Sequence, residues 1–294
     1  MGKINLHMHS ECSLDGNFSI NEIVNQCSKN GISYLSITDH NTCAAYSELN
    51  LEKLKINGTL IYGMEADAII DNVTYDILCY GFELDEVSKW AKEQYGTVAE
   101  RQMKIYNKLV ELCKNINLSL DTTIPYDADK EYAHEAVFRM LSTTDENRNF
   151  LVKYNILNKS DFYRLSTMDN SFPLYINMNI VWTTIETLSR IIHNNSGKIF
   201  LAHPYKYVKG RSVDKLLDSC SSFIDGIEIC NESENEEEVI YLYEYAKRKG
   251  LLVSVGSDYH GSEKHNNISV DYLNEKIEKD VEKWISEIPG KIKI

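Results

Sequence analysis

The sequence predicts an α/β protein built on a parallel sheet or barrel, and three observations predict it. Short apolar runs recur along the chain, and most are followed by a helix-period pattern. Capping signals open several of those helices. Histidines and carboxylates gather at the ends of the runs, which is where parallel α/β folds place their active sites.

The elements justify this in order. Residues 3–9 read as a short buried strand ending in His7-Met8-His9. Ser19-Ile20-Asn21-Glu22 is a Ser-x-x-Glu capping box, so a helix follows. Ile20, Ile23, Val24 and Cys27 form its apolar face, and Gly31 sits where it should stop. Strands are predicted over 34–38, running into Asp39-His40, over 60–66, carrying Glu65, and over 74–82, carrying Asp76.

From about 86 to 170 the pattern turns polar and mostly helical, with helices near 100–114, 134–141 and 146–154. A strand is predicted over 172–178. The α/β grammar resumes with Thr183-Thr184-Ile185-Glu186, read as a second capping box. Strands follow over 198–202, ending at His203, over 224–230, carrying Glu228, and over 251–256, running into Asp258 and His260. A helix over 239–249 stops at Gly250, and a helix over 270–287 closes the chain. The expected organisation is a barrel domain over 1–95 and 172–294, with a helical insertion or lid over 96–171.

Bulk properties bound the function. The chain has 294 residues and a net charge of −13, with 43% hydrophobic and 26% charged residues, as in a folded globular protein. That acidity argues against attraction to a long nucleic acid. It leaves a small phosphorylated substrate open, because bound cations dominate the local field of a pocket. The seven cysteines are scattered without a CxxC pair, so they are expected to be reduced thiols. No apolar run of membrane-spanning length and no signal peptide is read, so a cytoplasmic protein is expected.

The chemistry lies in five fragments. On an extended backbone residues i and i+2 project together, so His7 and His9 point the same way, as do Asp258 and His260. Thr38-Asp39-His40, Gly63-Met64-Glu65 and Ala202-His203-Pro204 supply further groups at strand ends. Such residues are rarely buried without a partner, and imidazoles with carboxylates form a mixed N/O metal-binding set. His193 and His265 read as surface or solvated residues, and the acidic run 232–238 reads as a solvated helix start.

Together these fragments resemble the PHP (polymerase and histidinol phosphatase) family. The segment Ser13-Leu14-Asp15-Gly16 resembles its nucleoside 3′,5′-bisphosphate phosphatase and RNase AM-like branch. The resemblance implies a distorted (β/α)7 TIM-like barrel holding two or three divalent ions, Mn²⁺, Zn²⁺ or Fe²⁺. By its pattern His7, His9, Glu65 and Asp258 hold one ion. Glu65 bridges to a second, shared with His203 and position 76. Asp15, His40 and His260 hold a third. The family usually carries His where this chain has Asp76, a swap that favours Mn²⁺ or Mg²⁺ over Zn²⁺. The related nucleotide phosphatases carry an Arg-x-His in the insertion, where this chain reads Tyr132-Ala133-His134. His134 and Arg139 are therefore the candidates for substrate contact.

The expected activity is hydrolysis of a small phosphorylated metabolite, a nucleotide phosphomonoester first, by metal-bound hydroxide. Phosphomonoester hydrolysis needs up to ~10²¹-fold acceleration, and metal ions bring the pKa of water toward roughly 7. Glu65, His203 and His260 are the expected catalytic groups, with Asp39 orienting His40. Three rivals are weighed. Histidinol-phosphate phosphatases usually carry Gly-Ser-x-His where this chain has Cys79-Tyr80-Gly81-Phe82. A non-catalytic metal-binding scaffold would have shed ligands that are present here. Barrel hydrolases of C–N bonds lack the Ser-Leu-Asp-Gly segment and commonly use a strand lysine.

Overall fold

The computed structural model describes residues 3–54, 57–207, 212–231, 234–262 and 265–294. The chain divides into two compact units. Unit 1 comprises Met1–Ile70, Tyr75–Glu93 and Thr184–Ile294, and unit 2 comprises Asp71–Thr74 and Gln94–Thr183. The second unit thus runs past 96–171 at both ends and takes in Asp71–Thr74 as well.

Unit 1 is a nearly closed barrel. Its strands are β1 (Ile4–Asn5), β2 (Tyr34–Ile37), β3 (Thr59–Ile70), β4 (Val73–Tyr80), β6 (Lys198–Leu201), β7 (Gly226–Cys230) and β8 (Leu252–Val255), neighbours in that order. A two-residue β5 (Thr183–Thr184) precedes β6, and β9 (Lys291–Lys293) lies antiparallel beside β3. The ring closes where the Leu6 N–H donates to Val255 O at 2.9 Å and Met8 bridges Tyr259 in parallel.

Around β1 both faces are buried. Ile4, Leu6 and Met8 face outward toward the helix layer, where Cys27 Sγ lies 3.6 Å from Met8 Sδ. Asn5, His7 and His9 alternate with them, and Asn5 Nδ2 donates to Ser257 Oγ at 2.8 Å.

The strands are parallel with one exception that matters for the site. β4 runs antiparallel to β6, Ile77 opposite Leu201. The N-terminal end of β4 therefore lies at the rim formed by the C-terminal ends of its parallel neighbours. That inversion puts Asp76 at the rim, where the Ala202 N–H donates to Asp76 O at 3.1 Å.

The helices of unit 1 follow local rules. α1 (Ile20–Lys29) begins with the expected reciprocal box of Ser19 and Glu22 and buries Ile20, Ile23, Val24 and Cys27. Burying side chains of this kind contributes about 1.5–3 kcal/mol for each large aliphatic one. α7 (Ile185–Asn194) is capped by Thr184, whose side chain accepts the Thr187 N–H. With Thr at the third helical position, the expected reciprocal box is a simple cap. α9 (Glu236–Lys249) ends at Gly250 in the left-handed region, φ 70°. α10 (Glu275–Glu287) begins five residues later than predicted, because Asn274 caps it through Lys276 and Ile277. In the acidic run, Glu232 lies outside the described residues, and Glu234 is buried instead of solvated.

Unit 2 is helical, with α3 (Val98–Asn115), α4 (Ala133–Ser142), α5 (Arg148–Lys153) and α6 (Lys159–Met168). The strand expected over 172–178 is not formed. Its aromatic and aliphatic residues fill the helical core: Phe172 packs against Phe150, Tyr154 and Phe162, and the Ile176 N–H donates to Ser166 O at 2.7 Å. A β-like composition was overridden by burial against helices.

Candidate metal centre

The strand ends of unit 1 deliver the predicted residues to one cluster. His7 and His9 leave β1 on the same side, with their Nε2 atoms 3.1 Å apart. Glu65 Oε2 lies 3.3 Å from His7 Nε2 and 3.2 Å from His9 Nε2. Asp258 Oδ1 lies 3.2 and 3.3 Å from the same two nitrogens. His7, His9, Glu65 and Asp258 thus converge on one point.

Two further groups share members with the first. Glu65 Oε1 lies 3.2 Å from His203 Nε2, which is 3.6 Å from Asp76 Oδ2. On the other side, Asp15 Oδ2 lies 3.5 Å from His40 Nε2 and 3.4 Å from His260 Nε2, with His9 beside them. The first group is sealed, His7 0% and Glu65 1% exposed at the side chain, whereas the side chains of His40 and Asp15 are 26% and 30% exposed.

The rings are turned by their outer nitrogens. Glu228, fully buried on β7, sits 3.0 Å from His7 Nδ1. His260 Nδ1 lies 2.6 Å from the carbonyl oxygen of Asp258, and His9 Nδ1 lies 3.4 Å from Ser13 Oγ. Protons held at these Nδ1 atoms leave the Nε2 lone pairs directed at the cluster. The backbone is strained at two ligand positions: His203 and Asp258 adopt φ of 27° and 55°, a region costly for residues other than glycine. Gly256 lies so close to His7 that a Cβ there would overlap the His7 Cβ.

The electrostatics match a cation cluster. Burial opposes the charged forms of His7 and His40, yet Glu65 and neighbouring carboxylates hold both above the usual imidazole range. Burial likewise opposes ionised Glu65 and Asp258, but the His7 imidazole above all holds both below the carboxylate range. Buried carboxylates and converging imidazole lone pairs are the donor set of a divalent ion. The residues therefore fit the implied metals: His7, His9, Glu65 and Asp258 for one ion, Glu65, Asp76 and His203 for a second, and Asp15, His40 and His260 for a third.

Other predicted residues lie elsewhere or act differently. Asp39 does not orient the His40 ring. Its carboxylate accepts the Ser10 N–H at 2.6 Å, the Ser10 hydroxyl at 2.7 Å and the Ser13 hydroxyl at 3.1 Å, which fixes the loop leading to Asp15. His134 is buried within unit 2 against Phe162 and Tyr163, where burial pushes its pKa down to about 3. Arg139 is engaged by both carboxylate oxygens of Glu131, at 3.1 and 2.6 Å. His193 pairs with Asp225 away from the cluster.

Three residues gain importance beyond the sequence reading. Glu228 holds His7 and also accepts the His203 N–H at 2.8 Å. His265 stands with Asp258 and His260, its ring 5.0 Å from that of His260, so it is not merely solvated. Lys206 Nζ reaches to 3.9 Å from Asp76 Oδ2. The predicted strand over 224–230 already carried Glu228 beside the ligand-bearing strands, but nothing local marked the other two.

Comparison with known proteins agrees with this geometry. The family model described as PHP domain matches residues 5–199. A 5′-3′ exoribonuclease of Haemophilus influenzae is 26% identical over 270 residues, covering 88% of this chain and 90% of that protein. A 3′,5′-nucleoside bisphosphate phosphatase of Chromobacterium violaceum is 23% identical, covering 88% of each. A solved structure from Chromobacterium violaceum, described as an amidohydrolase with bound sulfate, superposes with a TM-score of 0.64 at 19% identity, covering 95% of this chain and 97% of that one. A family match over more than half the chain, on a barrel whose rim carries the ligand set, leads to one conclusion: the chain belongs to the PHP domain family and is an enzyme of its metal-dependent phosphoesterase class.

Proposed function

We propose that the chain hydrolyses a phosphate monoester of a small nucleotide, with nucleoside 3′,5′-bisphosphates as the first candidates. The observation that carries this reading is the convergence of three ligand groups that share Glu65 and His9 at one barrel rim. When bound, the divalent ions supply a Lewis-acid field that neutralises phosphoryl oxygens and lowers the pKa of water.

The chain's own residues do the remainder. Glu65, with one oxygen toward His7 and the other toward His203, would contribute a ligand atom to each of two groups. Glu228 and Ser13 hold the rings of His7 and His9 in the ligating orientation. The partly exposed Asp15 and His40 mark the side from which a phosphate enters. His203 and His260 stand at the two ends of the cluster, each facing it through Nε2, and the leaving oxygen, placed beside one of them, would take its proton from water at the open Asp15–His40 side. His134 and Arg139 have no part in this proposal: Glu131 engages Arg139, and His134 packs against Phe162 and Tyr163 within unit 2. The replacement of an imidazole by Asp76 supports Mn²⁺ or Mg²⁺ over Zn²⁺ at the second site.

A second reading is favoured by the exoribonuclease relatives: a 5′-phosphorylated RNA end as substrate. The charge of −13 weakens long-range attraction to RNA but does not bar a strand end from the rim. The test is phosphate or nucleotide release with Mn²⁺ from a panel of nucleoside 3′,5′-bisphosphates, nucleoside monophosphates, histidinol phosphate and a short 5′-phosphorylated oligoribonucleotide. Preference for the bisphosphates carries the first reading. Processive release from the oligoribonucleotide replaces it with the second. Silence on every compound by metal-loaded protein overturns both. No helix among the described residues is long and apolar enough to cross a membrane.

A further inference from the structure

One of the three ligand groups differs from the others in holding a lysine within it. The 3-10 turn Pro204–Tyr207 follows His203 directly and returns the Lys206 side chain toward the rim. Lys206 Nζ lies 3.5 Å from His203 Nε2 and 3.9 Å from Asp76 Oδ2. His203 Nε2 is the atom that also faces Glu65 Oε1, at 3.2 Å. The ammonium thus addresses the same lone pair and the same Asp76 carboxylate that a second ion would use, beside Glu65. A nitrogen lone pair serves one partner at a time, and two cations sharing a site of this size repel strongly.

We propose that the Lys206 ammonium is a tethered cation that competes with the second metal ion for Asp76, Glu65 and His203, so that this ion binds more weakly than the others. The inference deepens the phosphoesterase reading and rests on it for the identity of the sites. Several features of the chain fit the role. The Lys206 side chain is 52% exposed, so its flexible stem can swing the head outward when an ion enters. The Tyr207 hydroxyl accepts the Asp76 N–H at 2.9 Å, which fixes the strand that carries the carboxylate. The inner group of His7, His9, Glu65 and Asp258 is walled by buried residues and is not entered by a lysine at ion-pair distance among the described residues. Displacing the ammonium leaves a positive charge at the rim when the second ion is in place. A phosphate-bearing substrate would then meet that charge beside the filled site.

The test reads metal binding, not turnover. Full-length protein stripped of metal is titrated with Mn²⁺ alone, following free Mn²⁺ by electron paramagnetic resonance, for the wild type, Lys206→Met, Lys206→Arg and Asp76→Asn. The expected result is one binding step weaker than the rest in the wild type. That step tightens at least tenfold in Lys206→Met, stays weak in Lys206→Arg and weakens further in Asp76→Asn. Equal affinity at every site in the wild type overturns the proposal. So does a weakest step that Lys206→Met leaves unchanged or loosens while the tighter steps, which report a folded barrel, persist. A protein that shows the expected pattern yet hydrolyses no phosphoester would sink the phosphoesterase reading and leave this one standing.

Discussion

Glu228 ties two ligand-bearing strand ends together: one carboxylate oxygen lies 3.0 Å from His7 Nδ1, and the other accepts the His203 backbone N–H at 2.8 Å. The residue is fully buried, and these two contacts, with the Asn231 side-chain amide donating to it at 3.3 Å, are how a buried carboxylate is tolerated. It touches neither the Nε2 atoms nor the solvent-facing rim, and so acts by positioning.

Glu228→Gln preserves the shape but removes the charge that holds the His7 proton at Nδ1. Metal affinity should fall by roughly 10–100-fold, with kcat/KM following it. Excess Mn²⁺ should restore part of the activity. An unchanged Mn²⁺ affinity in a folded variant would show that the Glu228–His7 contact has no such role.

Asp258 faces the two inner imidazoles and is, with Glu65, one of the two carboxylates of the first group. Asp258→Asn should reduce turnover more than the positioning variant does, by at least ~10²-fold. Elemental analysis should show less than the wild-type metal content per chain. Full metal content together with wild-type turnover would remove Asp258 from the ligand set.

Gly256 has a steric duty. Any Cβ at this position would meet the Cβ and backbone nitrogen of His7. Gly256→Ala should therefore displace His7 and lower thermal stability, at a cost of about 1–3 kcal/mol as for other overpacked sites. The check is a melting curve with and without Mn²⁺. The gap between the two curves should narrow in the variant, and a gap as wide as in the wild type would contradict the account.

His134 makes unit 2 acid-labile. Its pKa is pushed from 6.5 in the unfolded chain down to about 3 by burial. Above pH 6.5 both states are neutral at this residue and its contribution is intact. As pH falls from 6.5 toward 3 the unfolded chain binds a proton that the folded unit refuses, so stability is lost by up to about 1.4 kcal/mol per pH unit. Urea midpoints at pH 7.5 and pH 5 should therefore lie closer together for His134→Leu than for the wild type. Equal separations would show that His134 is protonated in the fold or not buried.

Much of the site was readable from local spacing because extended backbone has a period of two. His7 with His9, and Asp258 with His260, needed only a strand end to project together. The caps at Ser19 and Gly250 were readable for the same reason, since each is satisfied within a few residues. Those local rules, with the strand–helix rhythm, determined the fold class and most of the ligand candidates.

The rest depended on contacts between residues far apart in the chain. Asp76 reaches the rim because β4 runs antiparallel to β6, a pairing decided by sheet closure and not by the residues of β4 alone. Residues 172–178 read as a strand until the aromatic core of unit 2 claimed them. Asp39 turned from His40 toward Ser10 and Ser13, since a buried carboxylate takes the donors that the neighbouring loop offers. Glu228 beside His7, and Lys206 beside Asp76, are partners separated by 221 and 130 positions. Sequence period determines which way a side chain points from its own strand; only the closed barrel decided what it would face there.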